Sequence, residues 1–415
     1  MNLKSTTILS GIITLVRILS GVISVKVIAV SIGPAGVAYV GQFQSFIAII
    51  SNIAGLGIGN GVIKYVSEHK DDHINFLKTI HTSLYITLLS TFFIAIITFY
   101  LSDELSSYIL GTNKYYFIFY ILATTLILFS LGQLITQVFN GMQLIQALTK
   151  IKIYSSLLGV GITLVLVYFY GIVGALISLV ISQVVIFFIA LYFVKKENLL
   201  NASILKFSYD KQKARLLFGF SLMSIVSIVL TQARQMYLRD YVITNISTEA
   251  AGYWQAVWKI SEMYLMIVTT SLSVYYLPKL SSTKSNNLLR IEIFKTAKFI
   301  LPLVFFAAIL IYLSRDLIIN VLYTNEFNAI RDLFLFQLIG DFLKIAGWLI
   351  SFLMVSKAMI KPFIITEIVF ILTYLLFSVL LIPVYGLQGL TIAFAINYFL
   401  YLIFMIYYFR KILFQ

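Results

Sequence analysis

Long apolar segments dominate this sequence and restrict it to a fold built inside a lipid bilayer. A helix needs about 20 mostly apolar residues to cross the hydrocarbon layer, and twelve such segments can be read along the 415-residue chain. Hydrophobic residues make up 60% of the chain and charged residues only 11%, against about 25% charged in a soluble domain. These proportions exclude a soluble enzyme, a disordered chain and a nucleic-acid-binding module. The predicted spans are 8–32, 37–64, 79–101, 115–140, 151–169, 172–194, 216–240, 250–277, 298–322, 331–355, 362–383 and 386–409.

The residues that usually carry catalysis or bind metals are scarce. The chain has no cysteine, which excludes disulfides and thiolate metal sites. Its three histidines lie close together in the sequence and cannot form a catalytic zinc site alone. We therefore expect no catalytic residues and no metal. The first apolar segment is too long for a signal peptide and carries Arg17 and Lys26, so we expect it to remain as the first span.

Lysine and arginine are unevenly distributed between the two predicted sides of the membrane. With both termini in the cytoplasm, 21 of the 30 Lys and Arg residues lie on the cytoplasmic side. Four lie on the opposite side, namely Lys114, Arg239, Arg315 and Arg331. Because cytoplasmic loops carry the excess of positive charge, the sequence predicts an even number of spans with both termini inside. Most of the net charge of +14 then reflects topology rather than an anionic partner.

Short motifs recur at a nearly constant offset, which indicates an internal duplication. Thr14 and Arg17 recur 217 residues later as Thr231 and Arg234, and residues 170–174 recur 215 residues later as 385–389. A six-helix unit has an even number of spans, so its two copies are parallel. The predicted fold is an all-α integral membrane protein of two parallel lobes around a central cavity. The predicted parts are an N-lobe with helices 1–6 (1–194), a cytoplasmic linker (195–215) and a C-lobe with helices 7–12 (216–415).

Eight charged residues lie within the predicted spans. Each costs about 2.5–3.5 kcal/mol at a helix centre, so each is expected to face a cavity or a partner. Lys259 and Glu262 are three residues apart on one predicted helix, and so are Asp341 and Lys344. These residues are either self-neutralised pairs, or acids that titrate or bind a cation beside amines that hold an anion. The eight residues are Arg17, Lys26, Arg234, Lys259, Lys344, Glu262, Asp341 and Glu367.

Arg17 and Arg234 occupy equivalent positions on small, polar helix faces, with no acid within a turn. Guanidinium groups bind phosphate through paired hydrogen bonds, so we expect a cationic cavity for a phosphorylated lipid, a sugar phosphate or an organic anion. Lys26 lies about 180° around the helix from Arg17 and either snorkels to the membrane interface or joins the cavity. Trp258, next to Lys259, is the best candidate for an aromatic side chain in the cavity.

Several runs resemble the Wzx-type flippases of lipid-linked oligosaccharides, over essentially the whole chain. They are Ser31–Gly36 with Gln42, Gly59–Val66, Ser273–Leu280, Arg331–Phe334 and Gln337–Asp341 with Lys344. The resemblance implies the polysaccharide-transporter branch of the multidrug/oligosaccharidyl-lipid/polysaccharide exporter superfamily, in the bacterial inner membrane. It further implies an undecaprenyl-pyrophosphate-linked oligosaccharide as substrate, moved from the cytoplasmic to the periplasmic leaflet.

The expected mechanism is alternating access between the lobes. Arg17 and Arg234, with Lys259 and Lys344, would hold the pyrophosphate, and Glu262, Asp341 and Glu367 are candidates for coupling to H⁺ or Na⁺. The residue composition favours an O-antigen repeat unit and lipopolysaccharide biosynthesis, and the alternative is the lipid III of enterobacterial common antigen. We expect a functional monomer in the lipid bilayer, with a polysaccharide polymerase and a chain-length regulator as partners.

Three other classes of function fit the sequence less well than a flippase does. A drug antiporter needs an acidic lumen, whereas the charged residues within the spans sum to a net positive value. A membrane-bound polymerase or glycosyltransferase would be expected to have a large extramembrane loop, and the loops here are short. An anion channel would not require a duplicated two-lobed chain.

Overall fold

The computed structural model describes residues 3–70, 72–197, 199, 208–283, 285–357 and 359–414. Regular structure in these ranges is helical, and no strand occurs in them. Helices satisfy their own backbone hydrogen bonds, as a chain surrounded by hydrocarbon requires. The predicted all-α membrane fold is therefore confirmed. Part of the predicted linker 195–215 lies outside the described residues, as do two of the predicted cytoplasmic cations, Lys206 and Lys284.

Fifteen α-helices occur in the described ranges. They are α1 (Leu3–Ala54), α2 (Gly59–Glu68), α3 (His73–Tyr100), α4 (Ser102–Leu110), α5 (Tyr116–Gly141), α6 (Ile145–Lys196), α7 (Lys211–Asn245), α8 (Thr248–Ser271), α9 (Leu277–Ser282), α10 (Asn286–Leu313), α11 (Arg315–Leu322), α12 (Phe334–Ser356), α13 (Ile360–Tyr385), α14 (Gln388–Tyr408) and α15 (Arg410–Phe414). A π-helical turn follows α8, and 3₁₀ turns precede α5 and α12.

Eight helices of the described chain are long and apolar enough to cross a membrane. The bent pair Lys211–Gly219 and Ser224–Asn245 would make a ninth, and α8, which carries several charged and polar residues, is not among them. Two of the eight, α1 and α6, contain 52 residues each, or about 78 Å at 1.5 Å per residue, more than twice the hydrocarbon thickness. The number of twelve spans stays a prediction.

Helix α6 is a hairpin of two antiparallel helical arms that fold back at Gly171. This glycine has a φ of 54° and a ψ of −126°, outside helical geometry. The hydroxyls of Thr163 and Ser178, on opposite sides of the break, are 3.4 Å apart. Gly174 lies so close to Leu166 that an added Cβ would stand 1.8 Å from the Leu166 carbonyl oxygen. The predicted spans 151–169 and 172–194 are therefore the two arms of this hairpin.

The same local geometry recurs at residues 385–389, the predicted repeat of residues 170–174. Gly386, between α13 and α14, has a φ of 58° and a ψ of −142°. A Cβ on Gly389 would stand 2.5 Å from the carbonyl of Leu381, eight residues earlier, as Gly174 does relative to Leu166. Only glycine adopts a positive φ at little cost. The backbone at 385–389 thus supports the duplication that the motifs predict.

The predicted second span, 37–64, is wrong in its boundaries. The first helix continues through a kink at Gly33, where φ is 62° and ψ is −172°, and ends at Ala54. Leu56 and Gly57 then adopt positive φ values of 47° and 60°, and α2 begins at Gly59. The left-handed backbone at Gly57 thus lies in the break between α1 and α2.

By their contacts the described residues form two compact units. Unit 1 comprises Met1–Ile32 and Tyr39–Met236, and unit 2 comprises Gly33–Ala38 and Tyr237–Gln415. Val62, Val66 and Leu217 are fully buried in one cluster of unit 1. Trp254, Tyr374 and Phe394 are fully buried in one cluster of unit 2. The predicted lobe boundaries at 194 and 216 come from the sequence repeat and not from these contacts, so they stay a prediction.

The helices also expose many large apolar side chains, as a lipid-facing surface requires. Phe299, Phe306 and Leu310 on α10 are all more than 60% exposed. A soluble protein rarely exposes an apolar patch of this extent. Burial inside the protein therefore accounts for only part of the hydrophobic content of the chain, and lipid covers the rest.

The start of α7 is fastened to α3 through Asp210. Its carboxylate accepts hydrogen bonds from the backbone N–H groups of Gln212 and Lys213, both at 3.0 Å, in the manner of a helix N-cap. Lys78 Nζ on α3 lies 3.5 Å from the same carboxylate. The hydrogen bond from the Lys213 backbone amide lowers the pKa of Asp210 below its ordinary 3.8, and the Gln212 amide and the Lys78 ammonium lower it further.

We expect Gly174→Ala to destabilise the protein by about 1–3 kcal/mol, because the added methyl group overlaps the Leu166 carbonyl. The matched control is Gly161→Ala on the same helix, where nothing lies within 4 Å of the new Cβ. That variant should be neutral or slightly more stable, since alanine favours helices over glycine by about 0.8–1.0 kcal/mol. Melting temperatures in detergent measure both, and equal melting of the two variants would contradict the hairpin.

Asp210→Ala should cost about 0.5–2 kcal/mol through loss of the cap, whereas Asp210→Asn keeps the cap and loses the charge. Because the pKa of Asp210 is lower in the folded state, its charge adds stability above the ordinary pKa of 3.8. That contribution is lost as the pH falls through the folded pKa. The difference in melting temperature between the wild type and Asp210→Asn should therefore shrink below about pH 4. A difference that grows with acidification would refute this role.

Candidate functional site

A cavity of about 160 Å³ in unit 2 contains four of the residues predicted for the site. We call it the charged cavity; it lies between α8 and α12. The predicted residues in its wall are Trp258, Glu262, Asp341 and Lys344. Trp258 thus lines a cavity beside charged residues, and its role in binding stays a prediction. Five further side chains complete the wall, namely Ser261, Leu265, Met266, Thr269 and Gln337.

Glu262 joins two predicted residues of α8. Its carboxylate accepts a hydrogen bond from Lys259 Nζ at 2.9 Å and another from Trp258 Nε1 at 3.0 Å. The spacings of three and four residues place all three side chains on one face of the helix. The Lys259 and Glu262 side chains remain 32% and 49% exposed, so this ion pair is open at the cavity rather than sealed in the core.

Asp341 on α12 is 1% exposed and is held by neutral donors. The hydroxyl of Tyr264 donates to Asp341 Oδ2 at 3.0 Å, and Gln337 Nε2 lies 3.4 Å from Oδ1. The sequence pairs this acid with Lys344 by spacing alone. The structure also gives Asp341 a partner from the neighbouring helix α8, which local spacing cannot reveal.

Lys344 lies among three aromatic rings contributed by three helices. Its Nζ atom is 4.7 Å from the ring centre of Trp348, 5.6 Å from that of Trp258 and 5.9 Å from that of Tyr398. An ammonium over aromatic faces gains about 0.5–2 kcal/mol, more where water is excluded. The rings therefore stabilise a charge inside the bilayer while leaving its hydrogen-bond donors able to meet an anion.

Arg239 is the clearest site residue that the sequence-based reasoning missed. It is predicted among the four cations of the non-cytoplasmic side, yet it lies on α7 and is 1% exposed. One of its Nη atoms donates to Gln255 Oε1 at 2.7 Å, and its guanidinium lies 5.9 Å from the Trp254 ring. Its side of the membrane stays a prediction, and α7 continues past it to Asn245.

The remaining predicted site residues lie outside this cavity. Arg17 is exposed and Arg234 is 7% exposed, so their predicted equivalence does not extend to burial. Lys26 and Glu367 are half-buried. None of these four residues, nor Lys259, lines the charged cavity or the larger cavity of unit 1.

This larger cavity of unit 1 has a volume of about 710 Å³. We call it the amide cavity, because seven carboxamide side chains line it. Its wall combines residues from α1, α2, α3, α5, α6 and α7. All 22 lining residues belong to the described chain, and none of them is charged. No motif in the sequence singles out this cavity.

Known proteins share the sequence pattern of this chain along nearly its whole length. A family described as polysaccharide biosynthesis protein matches residues 32–332. The chain belongs to this family. It is also 30% identical to the Lipid III flippases of Escherichia coli K12 and of Shigella flexneri, over 97% of this chain and 96% of each relative. The family is one of membrane transporters rather than enzymes, and the resemblance to Wzx-type flippases is confirmed.

Solved structures establish the fold of this family member. An inward-facing multidrug transporter of the MATE family, itself a member of the MOP superfamily, matches 96% of this chain with a TM-score of 0.80 and 16% identity. The MATE multidrug transporter DinF-BH, solved as a complex, matches 99% of this chain with a TM-score of 0.73 and 18% identity. The chain covers 94% and 96% of those two structures. At this level of identity the likeness shows the fold and not the substrate.

Proposed function

We propose that the protein is a flippase for an undecaprenyl-pyrophosphate-linked oligosaccharide in the bacterial inner membrane. It moves the lipid from the cytoplasmic to the periplasmic leaflet by alternating access. The observation that carries this proposal is the 30% identity to lipid III flippases over 97% of the chain. The intramembrane cations of the chain support it, since a pyrophosphate needs positive charge along its route.

The favoured substrate is a lipid of the lipid III kind, the carrier of enterobacterial common antigen. The O-antigen repeat unit predicted from composition remains the alternative. Many unrelated proteins share a similar residue composition. Sequence identity to a lipid III flippase along nearly the whole of both chains is therefore stronger support for the substrate. Drug transport rests on likeness of fold alone, and it is not proposed.

Four intramembrane cations are the proposed pyrophosphate ligands. Arg17 and Arg234 belong to unit 1, and Lys259 and Lys344 belong to unit 2. Lys26 is a further candidate, and Trp258 places an aromatic face beside Lys344. The bidentate hydrogen bonding of guanidinium suits phosphate oxygens, and the cation–π contacts of Lys344 make an intramembrane ammonium tolerable.

The remaining assignments complete the proposal. The protein acts as a monomer in the bilayer with both termini in the cytoplasm, as its distribution of Lys and Arg supports. A polysaccharide polymerase and a chain-length regulator would take over the flipped product. Asp341 carries a coupling ion, H⁺ or Na⁺, because a buried intramembrane carboxylate commonly marks an ion path. Glu262 and Glu367 are weaker candidates, the first because Lys259 already neutralises it.

Expression in an Escherichia coli strain without its own lipid III flippase should restore surface enterobacterial common antigen. Expression in a parallel strain without its O-antigen flippase should not restore O-antigen. At matched protein levels, Arg234→Ala should lose roughly tenfold or more of the activity and Arg234→Lys less, since a charge-assisted hydrogen bond contributes about 1.5–3 kcal/mol.

Rescue of O-antigen alone would reinstate the O-antigen repeat as the substrate. Failure in both strains by a well-expressed protein would refute a lipid-linked flippase. Full activity of Arg234→Ala at normal protein levels would remove Arg234 from the pyrophosphate path.

Asp341→Asn should abolish the response of transport to an imposed pH gradient in membrane vesicles, because an amide cannot take up and release the proton. Glu367→Gln tests the weaker candidate in parallel and should retain the response, since Glu367 does not line the charged cavity. Replacing Na⁺ by K⁺ in the same assay distinguishes the two coupling ions. Loss of the response in Glu367→Gln but not in Asp341→Asn would show that the wrong carboxylate was chosen.

A further inference from the structure

The amide cavity of unit 1 is not used by the charge-based mechanism above. Its volume of about 710 Å³ lies within the 300–1,000 Å³ typical of small-molecule sites. Five of the 14 glutamines in the chain line it. The carboxamides on its longer helices are Gln44, Asn52, Gln133, Gln137, Gln183 and Gln232.

Such a concentration of amides has a cost in a membrane protein. A polar group kept away from water without a partner is unfavourable by about 1–3 kcal/mol on mutational scales, and apolar side chains of similar size would fill the same space. Asn52 Oδ1 and Ser130 Oγ are both buried and have no hydrogen-bond partner among the described residues. The wall of the cavity therefore carries hydrogen-bonding capacity that the protein itself does not use.

The backbone is shaped to leave room for these groups. A Cβ on Gly59 would stand 2.5 Å from Gln137 Nε2, so the absence of a side chain at Gly59 accommodates the Gln137 amide. Asn52 Nδ2, at the end of α1, donates to Ser224 Oγ on α7 at 3.3 Å. That contact holds one amide in place across two helices.

The chemistry of the wall selects the kind of ligand. A carboxamide donates and accepts hydrogen bonds at once, and it therefore complements hydroxyl and amide groups. With no charged residue among its lining residues, the cavity offers no counter-ion to a pyrophosphate. Sugar rings with hydroxyl and N-acetyl groups match this surface, whereas phosphate and prenyl groups do not.

We infer that the amide cavity binds the sugar portion of the substrate through its uncharged hydroxyl and amide groups, while the pyrophosphate is held elsewhere. This inference rests on the proposed flippase function and adds a specific site to it. The carboxamides of unit 1 thus bind the glycan, and the cations bind the pyrophosphate of the lipid carrier. Changing a carboxamide should alter the affinity for sugar without altering the affinity for the carrier.

The test uses the full chain in lipid nanodiscs and two synthetic probes. One is undecaprenyl pyrophosphate, and the other is the same lipid carrying a trisaccharide of N-acetylglucosamine. Gln137→Leu and Gln183→Leu should each weaken binding of the sugar-bearing probe about 2- to 12-fold, which corresponds to the loss of about 0.5–1.5 kcal/mol per neutral hydrogen bond. Binding of the sugar-free probe should change by less than a factor of two.

Asn140→Leu is the matched control, since Asn140 is an exposed amide on α5 outside the cavity. It should leave both affinities unchanged. Equal weakening of both probes by the cavity variants, or no weakening of either, overturns the sugar site while leaving the flippase proposal intact. A wild-type protein that binds neither probe overturns the flippase proposal, and the sugar site with it.

Discussion

A polar group in the hydrocarbon layer has no water to bind, so it must find its partners within the protein. The backbone meets this constraint with helices, the only regular structure among the described residues. The charged side chains find three kinds of partner. Glu262 forms an ion pair with Lys259, and Asp341 accepts a hydrogen bond from Tyr264. Lys344 lies over aromatic rings. Some buried polar atoms of the described residues, such as Asn52 Oδ1, have no hydrogen-bond partner within the protein.

The two cavities differ in chemistry, although the chain repeats one backbone motif. Residues 170–174 and 385–389 share left-handed glycines and the same close approach eight residues apart. The cavities share nothing of this kind, since the charged cavity contains Glu262, Asp341 and Lys344, and the amide cavity contains only neutral residues. The two copies of the predicted repeat therefore share backbone geometry at these glycines, whereas the side chains of the two cavities differ.

Much of the fold could be predicted from sequence, because hydrophobic length and charge bias are local properties. The i,i+3 spacing of Lys259 and Glu262 was enough to predict their ion pair. The position of Arg239 was not predictable in the same way, because its partner Gln255 belongs to the next helix. Lys344 could be recognised as an intramembrane cation, but its aromatic neighbour Tyr398 lies 54 residues away on α14. The amide cavity combines residues from 44 to 232 on six helices, and no local window contains that pattern.

The fold at Gly171 also bears on how the chain enters the membrane during synthesis. The two arms of α6 are joined through a single non-helical residue, and Thr163 already contacts Ser178 within the same hairpin. Because no hydrophilic loop separates the arms, we expect them to enter the membrane together as one helical hairpin.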